Sequence, residues 1–155
     1  MSWSAATLVT PPASPAIALS DAKEFVRVED DVTDFDVQLA AFAAVAVEQI
    51  EKICSIRLAP QTVALRADDW SDLARLPIAP VTGVVSIHYI DVAGDEQLLD
   101  PSRYELFGAD LETGIRLQVG HEWPYDMRSV AGAIRVTLEV GYGELPPPLW
   151  AAALY

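Results

Sequence analysis

The longest hydrophobic repeat in the chain predicts an amphipathic helix that ends near Cys54. Thr33 would cap its start, and Asp36 would complete a short capping box. Four alanines between positions 40 and 44 would let another helix approach closely, either within the subunit or from a neighbouring copy. The apolar residues recur at intervals of three or four, as on one face of a helix, and they are Phe35, Leu39, Phe42, Ala46, Ile50 and Ile53.

A shorter helix is predicted just before the long one, over residues 21–28. Ser20 is a good N-cap, and Asp21 would place negative charge at the positive end of the helix dipole. The helix should end at the acidic residues 29–31. The two helices would then be joined by a short acidic turn.

The pattern changes to strands after Pro60. The last strand alternates most clearly, with Ile134 and Val136 on one side and Arg135 and Thr137 on the other. Turn residues separate the strands, which is typical of antiparallel pairs. The predicted strands cover residues 61–67, 84–90, 96–99, 103–107, 114–119 and 133–140.

The C-terminal residues predict one more helix. Proline suits the first turn of a helix, and the prolines at 146–148 precede an apolar run up to Tyr155. A helix this short needs packing or further chain, so we expect the native chain to continue. The order of helices, antiparallel strands and a final helix predicts an α+β fold.

We interpret residues 19–155 as a single domain in which residues 59–143 form a mainly β insertion between helices. Residues 1–18 contain three prolines and scattered serine and threonine, which predicts a flexible N-terminal arm. An arm that becomes ordered only against a neighbouring subunit is the alternative.

Composition and charge argue against several classes of protein. Of the 155 residues, 52% are hydrophobic, which is too many for a disordered acidic chain. No apolar run reaches the length of a membrane helix. The formal net charge of −13 argues against wrapping nucleic acid, which needs lysine and arginine. The negative charge either keeps the protein soluble or forms a surface that repels DNA passing close to it.

The sequence offers no catalytic constellation. It lacks the P-loop, GxGxxG, HExxH and GxSxG motifs. We interpret Cys54 as a small buried hydrophobic residue, and His88 and His121 lie too far apart in sequence to suggest a zinc site. The acidic residues 29–36 are the best metal candidate, but they lack EF-hand spacing, and a solvated turn explains them more simply. We therefore predict no catalytic, cofactor-binding or metal-binding residue.

Aromatic residues lie in turns and at segment ends instead of at core periodicity. They either cover the edges of a small core or anchor subunit interfaces, where tryptophan and tyrosine are enriched. On the second interpretation, the candidate interface residues are Trp123, Tyr125, Tyr142, Leu149, Trp150, Leu154 and Tyr155.

Five segments in order resemble the head–tail connector (adaptor) proteins of siphophages, prophages and gene transfer agents. The first begins with LSDAKEFVRVEDD and runs into the long helix, which ends IEKICSI. The next three are LPIAPVTGVVSIHYIDVAG, YEL and HEWP. The fifth is GAIRVTLEVGYG, followed by LPPPL. Each is short, but together they span residues 19–155.

The resemblance implies a structural virion protein and not an enzyme. Such a protein forms a ring, usually of twelve copies, between the portal at the head vertex and a stopper or tail-terminator protein. DNA would pass through the ring without specific binding, and neither a cofactor nor a membrane is involved. The ring would assemble in the bacterial cytoplasm and reside at the head–tail junction of a virion or phage-like particle. The apolar helical face and the C-terminal segment from Pro146 would meet the portal, and loops of the β region would meet the next ring.

Two other functions stay open from the residues alone. One is a small metal-dependent hydrolase that uses the acidic clusters. The other is a cytosolic module that binds a basic protein partner, since the chain is strongly acidic.

Overall fold

The computed structural model describes residues 3–155, and these form an α+β fold, as predicted. Three helices and seven strands make up the described part of the chain, with short 3-10 helices at Trp70–Ala74 and Pro101–Arg103. The helices are α1 (Leu19–Val26), α2 (Asp36–Cys54) and α3 (Pro147–Leu154). The strands are β1 (Thr7–Thr10), β2 (Gln61–Ala67), β3 (Val81–Ile90), β4 (Glu96–Leu98), β5 (Tyr104–Ala109), β6 (Glu112–Leu117) and β7 (Ile134–Val140).

A five-stranded antiparallel sheet forms the centre of the fold, in the order β1-β2-β7-β3-β4. Strand β7 lies in the middle, where Leu138 is paired with Val63 of β2 and Val136 with Ile87 of β3. Alternate residues of β7 are buried, as the sequence predicts. One face of the sheet therefore supplies most of the hydrophobic core.

Strands β5 and β6 form a separate hairpin that closes this core. Ile115 of β6 and Leu73 of the first 3-10 helix are both almost fully buried against the sheet. Gly114 permits the close approach, because a Cβ atom there would overlap the carbonyl oxygen of Ala74. The 3-10 helix is held by a reciprocal capping box between Asp69 and Asp72.

The predicted capping residues of both N-terminal helices are wrong. Helix α1 begins at Leu19 after Ala18, so Ser20 lies inside its first turn. Helix α2 begins at Asp36, and its N-cap, Phe35, makes no side-chain cap. The predicted capping box with Thr33 does not form, since the Asp36 carboxylate is engaged by Lys23 at 2.7 Å.

Only part of the predicted apolar stripe of α2 lies on the face that packs inside the chain. Ala43, Val47 and Ile50 pack against the buried cores at this end of the molecule. Phe42 and Ile53, which belong to the same predicted stripe as the packed Ile50, are 71% and 81% exposed. Apolar residues occur on nearly every side of this helix, so periodicity alone does not determine which side faces inward.

Cys54 is exposed at the C-terminal end of α2, which corrects its interpretation as a buried residue. The helix ends there because Ser55 adopts a left-handed conformation with φ of 55°. The chain turns back to the core only at Ile56 and Leu58, which are buried.

The predicted N-terminal arm contains a strand in this structure. Thr7–Thr10 pairs with β2 at the edge of the sheet, and Ile17 is buried beside α1 and α2. Met1 and Ser2 lie outside the described residues. The flexibility of the arm and the domain limits stay predictions.

The turn between β3 and β4 is organised by one carboxylate, that of Asp91. Its Oδ1 accepts hydrogen bonds from the backbone N–H groups of Ala93 and Asp95, at 2.9 and 3.0 Å. Its Oδ2 accepts one from the side chain of Gln97 at 2.8 Å. The Gln97 hydrogen bond, followed by those from the backbone, lowers the pKa of Asp91 below its usual range.

We expect Asp91→Asn to make the acid unfolding of the chain less steep. A lowered folded-state pKa contributes stability that is present above the unfolded pKa of about 3.9 and is lost as the pH falls through the folded value. Circular dichroism between about pH 5 and about pH 2 would measure the difference. Asp95→Asn in the same turn is the control, since its carboxylate makes no hydrogen bond among the described residues. Equal pH dependence in both variants would contradict this role of Asp91.

Candidate interaction surfaces

The acidic segment 29–36 wraps around a buried lysine. Lys23 is 4% exposed, and its Nζ donates hydrogen bonds to the carbonyl oxygens of Asp30 and Val32 at 3.1 and 2.9 Å. The same atom forms an ion pair with Asp36. An ammonium group therefore occupies the position that a cation would take in this turn.

Groups suited to catalysis or metal binding are dispersed in residues 3–155. No cluster of three or more histidine, cysteine, aspartate or glutamate residues in that range could hold a metal ion. His88 lies in β3, His121 in the loop after β6, and Cys54 at the end of α2. Over the same range, no helix is long and apolar enough to span a bilayer.

An aromatic cluster covers one edge of the core. The rings of Trp70 and Trp123 are stacked, with centroids 4.9 Å apart and planes 4° from parallel. Trp70 also donates from its indole Nε1 to the carbonyl oxygen of Pro124 at 3.2 Å. Trp123 thus covers the core, as in the first interpretation of the aromatic residues. Tyr125, two positions on, is fully exposed and contributes to no core.

A groove of about 580 Å³ lies beside this cluster. At its base, the hydroxyl of Tyr89 donates to Oδ1 of Asp126 at 3.3 Å. Burial, and then the negative charge of Asp126, raise the pKa of Tyr89, so its hydroxyl stays a donor at neutral pH. Arg103 and Tyr125 also line this groove, and both are exposed.

The remaining candidate residues lie around α3, in a second surface. Tyr142 and Leu149 pack against the core formed by Ile56, Leu58 and Ala79. Trp150 and Leu154 pack beside buried Ala153 in the neighbouring cluster. These four side chains hold α3 against α2 and are only partly available to a partner.

Tyr155 is the outward member of the second surface. It is 98% exposed, and its ring meets that of Phe25 edge-on, with centroids 5.2 Å apart. The structure therefore divides the candidate interface residues between two surfaces, each with one fully projecting tyrosine. Their role in binding is not determined by their position and stays a prediction.

The sequence pattern anticipated a third surface only in part: of the exposed apolar side of α2, the predicted stripe includes Phe42 and Ile53 but not Val37 or Val45. Four large apolar residues on it are between 53% and 81% exposed. The signal was present, because residues 37–47 form an uncharged run in a strongly acidic protein. We refer to these residues as the outward face of α2, and they are Val37, Phe42, Val45 and Ile53.

Comparison with known proteins identifies the architecture. No protein-family model and no curated protein sequence matches the chain. Among solved structures, a chain in the neck of an empty GTA particle, computed with C6 symmetry, has a TM-score of 0.70 at 22% identity. That match covers 95% of this chain and 74% of the other.

Two further solved structures have a similar fold. A chain from the virion of a native gene transfer agent (GTA) particle has a TM-score of 0.71 at 23% identity, covering 96% of this chain and 75% of the other. A chain in the neck of a native GTA particle, computed with C12 symmetry, gives 0.62 at 24% identity, with 94% and 73% covered. This chain shares the fold of these gene transfer agent proteins. The likeness confirms the fold that the sequence resemblance implied.

Proposed function

We propose that the chain is a structural subunit of the neck of a tailed phage or phage-like particle, where it forms an adaptor ring between head and tail. The observation that carries this proposal is the shared fold, which extends over 94–96% of the chain in three GTA particle structures. The five ordered sequence segments that resemble head–tail connector proteins support the proposal independently.

We propose a ring of twelve copies with the portal on one side and a stopper or tail-terminator protein on the other. Two of the similar structures are necks computed with C6 and C12 symmetry, which is consistent with a cyclic assembly. Rings of this kind close through heterologous contacts, in which two different surfaces of each subunit meet. The chain has separate exposed surfaces that could serve such contacts.

The charge of the chain fits a passage for DNA. A net charge of −13 opposes binding to phosphate groups, so DNA could move through the ring without being retained. The function would depend on surfaces and not on a catalytic pocket. The arrangement of the acidic turn around Lys23 gives no support to the metal-dependent hydrolase considered above.

Electron microscopy of the chain mixed with the portal protein of the same particle would test the proposal. We expect an additional ring of density on the tail-facing side of the portal. Portals that stay undecorated at high micromolar concentrations of a folded chain would contradict the proposed function.

The two projecting tyrosines provide a test of orientation. We expect Tyr155→Ala to weaken portal binding by about tenfold, or about 1.4 kcal/mol, because tyrosine is enriched among the few residues that anchor an interface. Tyr125→Ala should leave portal binding unchanged, since it lies in the other surface. Binding would be measured by surface plasmon resonance on immobilised portal. An equal loss in both variants, or a loss only in Tyr125→Ala, would contradict the assignment of α3 to the portal.

A further inference from the structure

The outward face of α2 is exposed to a degree that is unusual for residues of this type. Val37 and Ile53 are each 81% exposed, and no residue of the 19-residue helix is buried. The inward side of the helix already contacts α1, α3 and the residues before α1. The outward face is therefore not needed to hold α2 in place.

The charge distribution favours a second copy of the chain as the occupant. Two copies with a net charge of −13 repel each other over most of their surfaces. The outward face reduces this repulsion, because residues 37–47 carry no charge and the exposed Glu48 that follows them is offset by Lys52 four positions on. At its C-terminal end is Lys52, an exposed cation with no ion pair among the described residues. Lys52 could therefore meet a carboxylate of the approaching copy.

The size of the face points to a weak contact that is repeated. A 19-residue helix is about 28 Å long and about 12 Å wide, so one side of it presents about 340 Å². This is within the range of functional apolar patches on monomers, but it is less than half of the about 800 Å² per partner in a stable pair. A closed ring compensates, because every copy makes the same contact on two sides.

We infer that the outward face of α2 packs against a different surface of a second copy, and so forms the contact that closes the ring. The inference rests on the proposed function, because it specifies which surface the ring uses. It predicts weak association of the isolated chain at high concentration. This association does not require the portal.

The first test is sedimentation velocity on the isolated chain from micromolar to millimolar concentration. We expect the wild type to associate as its concentration rises. Val45→Asp combined with Ile53→Asp should weaken this association at least about tenfold, since packing would desolvate two new carboxylates. Leu111→Asp is the matched control, because Leu111 is also exposed (62%) but lies in the β5–β6 turn.

The sedimentation outcomes separate the inference from the proposed function. Association that is equally strong in the double variant would overturn the inference, as would a wild type that stays monomeric at millimolar concentration. Circular dichroism would verify that the variants fold, which is expected because the altered side chains are exposed. Decoration of the portal is a separate measurement, and its failure would count against the proposed function alone.

The second test identifies what covers the face. A benzophenone would be attached by maleimide chemistry at Val45→Cys in a Cys54→Ser background, since Cys54 is the single native cysteine and is exposed. We expect crosslinks to a second copy, mapped by mass spectrometry to residues outside α2. The same probe at Leu111→Cys should give few. Equal yields at both positions, or crosslinks confined to α2 of the other copy as in a two-fold dimer, would contradict the inference.

Discussion

Gly141→Ala should destabilise the chain by about 4 kcal/mol, a large effect for the addition of one methyl group. Gly141 has φ of 104°, a backbone conformation that residues other than glycine rarely adopt. A Cβ atom there would also overlap the carbonyl oxygen of Ala59 and lie 2.7 Å from the nitrogen of Pro60. Both obstacles are backbone atoms, so no change of rotamer relieves them.

The effect should extend to the surface around α3. The N–H of Gly141 donates to the carbonyl oxygen of Pro80 at 3.1 Å, and that of Tyr142 donates to Leu58 at 3.2 Å. These bonds set the direction in which the chain leaves β7 toward α3. Displacement of this turn would therefore loosen α3 from α2, in addition to lowering the stability of the sheet.

Gly143→Ala is the matched control for this prediction. Gly143 lies in the same turn, but nothing is within 4 Å of a Cβ atom built there. Urea unfolding followed by tryptophan fluorescence would give the free energy of unfolding for both variants. We expect Gly143→Ala to stay within about 0.5 kcal/mol of the wild type. Similar stabilities for the two variants would show that the close packing at Gly141 is not required.

Lys23→Met should destabilise the chain by about 2 kcal/mol. Methionine keeps most of the buried aliphatic stem but leaves the carbonyl oxygens of Asp30 and Val32 without their donor. It also removes the partner of the Asp36 carboxylate. Because 28% of the Asp36 side chain is exposed, water can replace part of the lost interaction, and the effect should be smaller than for a fully buried pair.

The chain provides its own control, because it has one other lysine. Lys52 is exposed, and Lys52→Met should change the stability of the isolated chain by less than about 0.5 kcal/mol. The free energy of unfolding in urea would be compared between the two variants. Hydrogen exchange at residues 29–36 should increase in Lys23→Met alone. An unchanged exchange rate there would mean that Lys23 does not organise the turn.

The β region could be predicted in detail from the sequence, and the helices only in part. Strand β7 alternates between apolar and polar residues because one of its faces is buried in the core. This alternation determines which side chains face inward, since a shift of one residue would turn all of them to the other face. Helix α2 has apolar residues around most of its circumference, so its length was predictable but its orientation was not. The capping box of α2 was wrongly predicted because local sequence does not show that Asp36 is bound by Lys23.

The candidate interaction surfaces were likewise predictable from the sequence only in part. Large aromatic residues at segment ends stand out in sequence, and this signal selected Tyr125 and Tyr155, which are both almost fully exposed. The same signal also selected Trp123, whose ring stacks on Trp70 at the edge of the core. Whether an aromatic residue covers a core or projects from it depends on what is folded beneath it, which local sequence does not contain.

By itself, the sequence determined the α+β class, the succession of strands after Pro60 and the acidic charge, since these depend on local periodicity and composition; strand β1 was not predicted. The resemblance in five ordered segments implied the same fold that the solved structures share. Only the tertiary structure decided which side of α2 is outward, that Cys54 is exposed, and that the acidic turn encloses Lys23. These features depend on how a helix packs against the segments around it, including the turn that follows α1, and periodicity along the chain carries no information on that packing.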